Sequence, residues 1–205
     1  MLPFVVIILL SFFFFSFGVV CVCCVWVLRF FIHLFLFFCM LPSFVFSSLA
    51  SAPVLGFCGS RSAVPPPAVW SAVVSAVSPS ASVSCGCVGG LCGLARSSFP
   101  SAVVFRASSF GVGAWSFVAR SSALVSSVAS SGVGLWVSFP SVACPVGLLP
   151  SHVPARCFAG FGSGSWASLA LALGSGVPAL LWLPAPLSAP AGWGFVSLGG
   201  GWFRA

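Results

Sequence analysis

Apolar positions crowd the amino-terminal end of the chain. Residues 4–28 (FVVIILLSFFFFSFGVVCVCCVWVL) carry no charge over 25 positions, and 18 of them are Phe, Val, Ile or Leu. As a helix this run is roughly 37 Å long, against a hydrocarbon core of about 30 Å. Its apolar side chains favour insertion by roughly −5 to −11 kcal/mol as an upper bound. In lipid the backbone must satisfy itself, so the pattern predicts a transmembrane α-helix over 4–28. Arg29 then stands at the interface, and residues 30–41 (FFIHLFLFFCML) are too short to cross again and lie along the boundary before Pro42. With Arg29 the only nearby basic side chain, the positive-inside rule weakly favours an outside amino terminus. The alternative is a signal peptide cut near Ala50-Ser51-Ala52, which would send the rest outside; no basic residue precedes the apolar run to support it.

Beyond residue 42 the pattern loosens. Residues 43–165 are a low-complexity Ser/Ala/Val/Gly/Pro-rich region with scattered Arg. Pro65-Pro66-Pro67 reads as a short polyproline II stretch. Trp70, Val73, Val74 and Val77 share one face of a short helix. Residues 113–131 form a longer amphipathic pattern: Ala114, Phe117, Val118, Leu124, Val125, Val128 and Ala129 share one side. Ser116, Arg120, Ser126, Ser127 and Ser130 face away. Polar residues otherwise recur with no helix or strand period over useful lengths. The expectation for 43–165 is a largely disordered chain with short helices and no compact globular fold. Residues 166–205 are an apolar Gly/Pro/Trp-rich tail, within which 166–183 (WASLALALGSGVPALLWL) is the candidate for a second crossing.

Composition reinforces this reading. Apolar residues make up 60% of the 205 positions and charged residues 3%, where an ordinary domain surface is roughly a quarter to a third charged. The seven basic residues are all Arg; Asp, Glu, Lys, Asn, Gln, Thr and Tyr are absent, while Ser occurs 35 times. No folding rule removes Thr and Tyr while keeping Ser and Phe, since strands favour Thr and Tyr. All the missing residue types have codons with adenine at the first or second position, and all three stop codons contain adenine. An adenine-poor strand explains every absence and stays open by default. The reading that follows is a frame without a selected function; the alternative is a small single-pass membrane protein with a structural or interaction role.

Candidate chemistry is limited by what is missing. Without carboxylates there is no acid/base pair and no Ser-His-Asp triad; without Lys there is no Schiff base and no P-loop. The chain is therefore not expected to be an enzyme, and no catalytic, cofactor-binding or metal residue is assigned. Cys85, Cys87 and Cys92, with Cys58 as a fourth, bring thiols together but lack paired zinc spacing. Cys144, His152 and Cys157 are looser still. Cys21, Cys23, Cys24 and Cys39 act as small hydrophobes or acylation sites, and His33 as a neutral imidazole at the membrane edge. Gly160, Gly162 and Gly164 lack dinucleotide spacing and read as a flexible Gly/Ser loop. The net charge of +7 comes from missing acids, and Arg61, Arg96, Arg106, Arg120, Arg156 and Arg204 are too dispersed for a nucleic-acid surface. The expected partner is the lipid bilayer, with non-specific self-association, no nucleic acid, no cofactor and no small-molecule substrate.

Overall fold

The computed structural model describes residues 41–205. The crossing at 4–28, the boundary segment, His33 and the cysteines at 21, 23, 24 and 39 lie outside the described residues. Helix α1 (Ser43–Ser51) leads into strand β1 (Val54–Gly59). There follow α2 (Pro67–Ala76), β2 (Ser82–Gly86), α3 (Leu91–Ser98) and β3 (Val103–Phe105). A 3-10 turn at Ala107–Phe110 precedes α4 (Ala114–Ala129) and β4 (Gly134–Phe139). The chain closes with α5 (Pro154–Cys157), α6 (Gly164–Gly174), β5 (Ala179–Trp182), β6 (Val196–Gly199) and β7 (Trp202–Arg204). The strands form a seven-stranded sheet in the order β3-β2-β1-β4-β5-β7-β6. β3 through β5 are parallel, while β7 and β6 close one side antiparallel.

Strand alternation divides the core into two layers. Leu55, Phe57, Leu135, Val137, Phe139, Leu180 and Trp182 face a cluster with Val45 and Leu49 of α1, Trp70 and Val73 of α2, and Leu91 and Ala95 of α3. Cys58, Trp136, Ala179 and Leu181 face the opposite cluster, with Leu124, Val125 and Val128 of α4 and Trp166–Ala172 of α6. Helices on both faces of a mainly parallel sheet make this a doubly wound α/β fold.

This overturns the expectation of a disordered region at 43–165. Two causes hid the fold. Strands buried on both faces do not alternate between apolar and polar; all six residues of β4, GLWVSF, are buried. The outward faces of the helices carry Ser and Ala instead of charge: Ser47, Ser51, Ser75, Ser97, Ser126 and Ser130 are exposed. Five of these hydroxyls bond a carbonyl three or four residues back, at 2.9–3.4 Å. The proline stretch sets the entry to α2, with Pro66 at φ −51°, ψ 142° and Pro67 in the first turn, where its missing N–H costs nothing.

The membrane placement is corrected as well. Residues 166–183 are not one crossing helix but α6, a tight turn and β5. α6 has 11 residues, about 16 Å of helix, and is buried on every side from Trp166 to Ala172. A helix apolar all round suits a protein core as well as a bilayer, so the pattern alone does not separate the two. Among the described residues no helix is long and apolar enough to cross a membrane.

Candidate anion site at the carboxyl edge of the sheet

β1 and β4 are neighbours, but their onward connections leave in opposite directions, toward β2 and toward β5. At such a switch point the loops separate and leave a crevice outside the carboxyl ends of the strands, where open α/β sheets bind ligands. Here it is a cavity of about 740 Å³. Its walls are the β1–α2 loop (Ser60, Arg61, Ser62), the loop after β4 (Ser141, Val142), one face of α4 and the segment Gly162, Ser163, Gly164, Ser165 that opens α6.

Arg120 reaches this cavity from the middle of α4 and is only 7% exposed. Its Nε is buried and has no hydrogen-bond partner. The sequence contains no Asp or Glu that could neutralise it. Periodicity placed Arg120 and Ser116 on the outward face of this helix, and both are buried. Room for the guanidinium comes from Gly86 at the end of β2, where any Cβ would collide with it. The aromatic ring of Phe117, one helical turn back, has the Arg61 guanidinium carbon 4.9 Å and that of Arg120 6.0 Å from its centre. Both cations thus lie within reach of one ring on the cavity wall.

α6 presents its amino terminus to the same space. No side chain caps it, so its first N–H groups and the positive end of its dipole are available to an anion. Trp166, fully buried, anchors this end: its indole N–H donates to the Val142 carbonyl at 2.9 Å and its ring meets Trp193 edge-on at 5.9 Å. Cys58 adds a second tie, its thiol donating to the Ser165 carbonyl at 3.6 Å and sharing a hydrogen bond with Ser138 at 3.2 Å. On the opposite wall Leu91 donates its N–H to the Ser60 carbonyl at 3.1 Å. That contact requires glycine at position 90, where φ is +59° and a Cβ would strike Ser60 and Arg61.

The thiols are not poised as nucleophiles. Burial pushes Cys58 up to about 12, against the weaker opposing effect of the Ser138 hydrogen bond. It pushes Cys85 up to about 11. Both remain protonated at neutral pH, and the thiolate is the reactive form. Cys58 and Cys92 line the crevice, Cys85 packs on the other face of the sheet, and Cys87 accepts the Ala107 N–H at 3.3 Å. Among the described residues no three His, Cys, Asp or Glu side chains are grouped to hold a metal. His152 is exposed before α5, while Cys157 is buried with its thiol on the Ser151 carbonyl at 3.3 Å. Arg96 is spent on structure, bonding the Gly86 and Val88 carbonyls at 2.9 and 3.0 Å.

Gly160, Gly162 and Gly164, read from spacing as a flexible loop, lead into α6 and place its amino terminus at the crevice. Neither this segment nor Arg120 stood out in the sequence as a ligand contact. The sequence signal available for both was a lone cation on an apolar helix and a Gly-Ser-Gly-Ser run before a helix. Compared with known proteins, the chain matches no family model, no curated sequence and no solved structure.

Proposed function

We propose that the chain is a binding protein for a small phosphate-bearing anion, held in the crevice between β1, β4, α4 and the start of α6. The observation that carries this reading is Arg120: a guanidinium that is 7% exposed, with an unpartnered Nε, in a chain without acidic side chains. An uncompensated buried charge costs several kcal/mol, and a bound anion supplies the missing partner. The uncapped end of α6 and the arginine at position 61 add a dipole and a second charge. Binding without catalysis fits the same inventory, because the cavity wall offers hydroxyls, guanidinium groups and the protonated thiol of Cys58, and no His, Asp, Glu or Lys lines it. Calorimetric titration of the full chain with inorganic phosphate tests the reading. Saturable one-site binding that weakens about a hundredfold in Arg120→Met is expected; binding unaffected by that substitution would remove the assignment.

A second reading keeps its own support in the residue inventory. The absence of Lys, Thr, Tyr, Asn and Gln follows from an adenine-poor strand, and a frame open for that reason need have no selected role. Ribosome footprints with three-base periodicity, together with base usage that differs among codon positions, would count against it.

A further inference from the structure

We propose that this site, if it binds phosphate as inferred above, takes its phosphate groups bare and rejects the magnesium chelates of di- and triphosphates. Protein sites that accept magnesium with a phosphate ligand hold the ion through one or two carboxylates as well as through the phosphates, because magnesium demands near-ideal octahedral oxygen ligation. The 205 residues contain neither Asp nor Glu. The side-chain oxygens on the cavity wall are serine hydroxyls, and several are already engaged. Ser60 Oγ accepts the N–H groups of Ser62 and Ala63 at 3.3 and 3.1 Å. Ser163 and Ser165 bond each other at 3.2 Å, and Ser168 donates to the Gly164 carbonyl at 2.7 Å.

The fixed charge in the crevice is all of one sign. Arg120, Arg61 and the start of α6 present positive charge, with Phe117 and Trp136 as low-dielectric walls. A bare diphosphate places its full negative charge against them. Its magnesium chelate brings less negative charge and carries a hydrated dication into the same field, with no carboxylate to receive it. The cation therefore competes with the protein for the phosphate oxygens.

The test is calorimetric titration of the full chain with pyrophosphate and with inorganic phosphate. Each is run in EDTA and in excess magnesium chloride, at ionic strength matched with sodium chloride. Pyrophosphate, which chelates magnesium well, is expected to lose at least about tenfold in affinity on adding the metal; inorganic phosphate, which chelates it poorly, should change by less than about twofold. Pyrophosphate binding that is unchanged or tightened by magnesium overturns this inference and leaves the anion site standing. Absence of binding by both ligands in EDTA overturns the site and the inference together.

Discussion

The two ends of the sheet carry cavities of nearly the same size and opposite character. At the amino ends of the parallel strands, a cavity of about 790 Å³ is bounded by Phe44, Ala52, Pro53, Leu135, Pro178, Leu180, Val196 and Arg204. Its single arginine is exposed and rests 4.6 Å from the centre of the Phe44 ring. Nothing there is both buried and charged. At the carboxyl ends, about 740 Å³ is bounded by glycine and serine loops, an uncapped helix end and a buried guanidinium whose Nε has no hydrogen-bond partner. Volume does not distinguish the two; an unmet electrostatic demand does. Helix starts and loops gather at the carboxyl ends because each parallel strand there turns into its crossover connection.

That contrast breaks most readily at the anchor of α6. Trp166→Ala removes a fully buried indole and its bond to Val142 and is expected to cost about 3–5 kcal/mol. Phe44→Ala, at a ring 41% exposed at the other end, should cost less than about 1 kcal/mol. Urea denaturation followed by tryptophan fluorescence compares the two; equal losses would mean that the ends of the sheet do not differ in rigidity.

Charge gives the next effect. Arg120→Met is expected to weaken phosphate binding about a hundredfold, the equivalent of about 2.7 kcal/mol. It should leave the unliganded protein as stable as before or more so, because a buried unpaired charge is gone. Arg204→Met should change phosphate affinity less than about twofold. A fall in unliganded melting temperature in Arg120→Met would show that the guanidinium is already compensated within the fold.

The crevice also holds a buried thiol that the opposite cavity lacks. Cys58 lies at about 12, above an ordinary thiol, so folding favours its protonated form. Its contribution is complete below the unfolded value of about 8.5 and is lost as pH rises toward 12. By about pH 10.5 the loss amounts to roughly 3 kcal/mol. Cys58→Ala should therefore make the alkaline decline in denaturant midpoint shallower than in wild type, leaving the part due to Cys85, Cys144 and Cys157, whose thiols burial also pushes up. An identical decline in both proteins would place the titration elsewhere.

The smallest effect is the most diagnostic, because its two readouts move in opposite directions. Ser163→Asp puts a carboxylate at the cap position of α6. It should stabilise the free protein by about 0.5–1 kcal/mol through the helix dipole while reducing phosphate affinity several-fold by filling the anion's place. Stabilisation without loss of binding would move the phosphate away from this helix end.

Apolar spacing along the chain foretold the local elements better than their purpose. Of the face read from Trp70, Val73, Val74 and Val77, the first three lie in a helix and Val77 caps its end in extended backbone; the amphipathic run at 113–131 holds a helix over Ala114–Ala129, and Pro65-Pro66-Pro67 leads into the first of these. Those features rest on contacts a few residues apart. The inventory without acids was equally plain from composition, and it is what makes Arg120 informative. Periodicity nevertheless turned Arg120 outward, because a helical wheel reads a cation as a solvent-facing group and has no knowledge of a space cleared by Gly86, which lies 34 positions earlier. Residues 166–183 read as a candidate crossing because an all-apolar helix satisfies a bilayer and a core alike. Only the pairing of β4 with β1 and β5 encloses α6 in protein. The sheet order and the switch point between β1 and β4 arise from pairings 80 residues apart, as in Val54 with Gly134. Local patterns carry no record of such contacts, so folding alone brought Arg120 and the open end of α6 to the walls of one cavity.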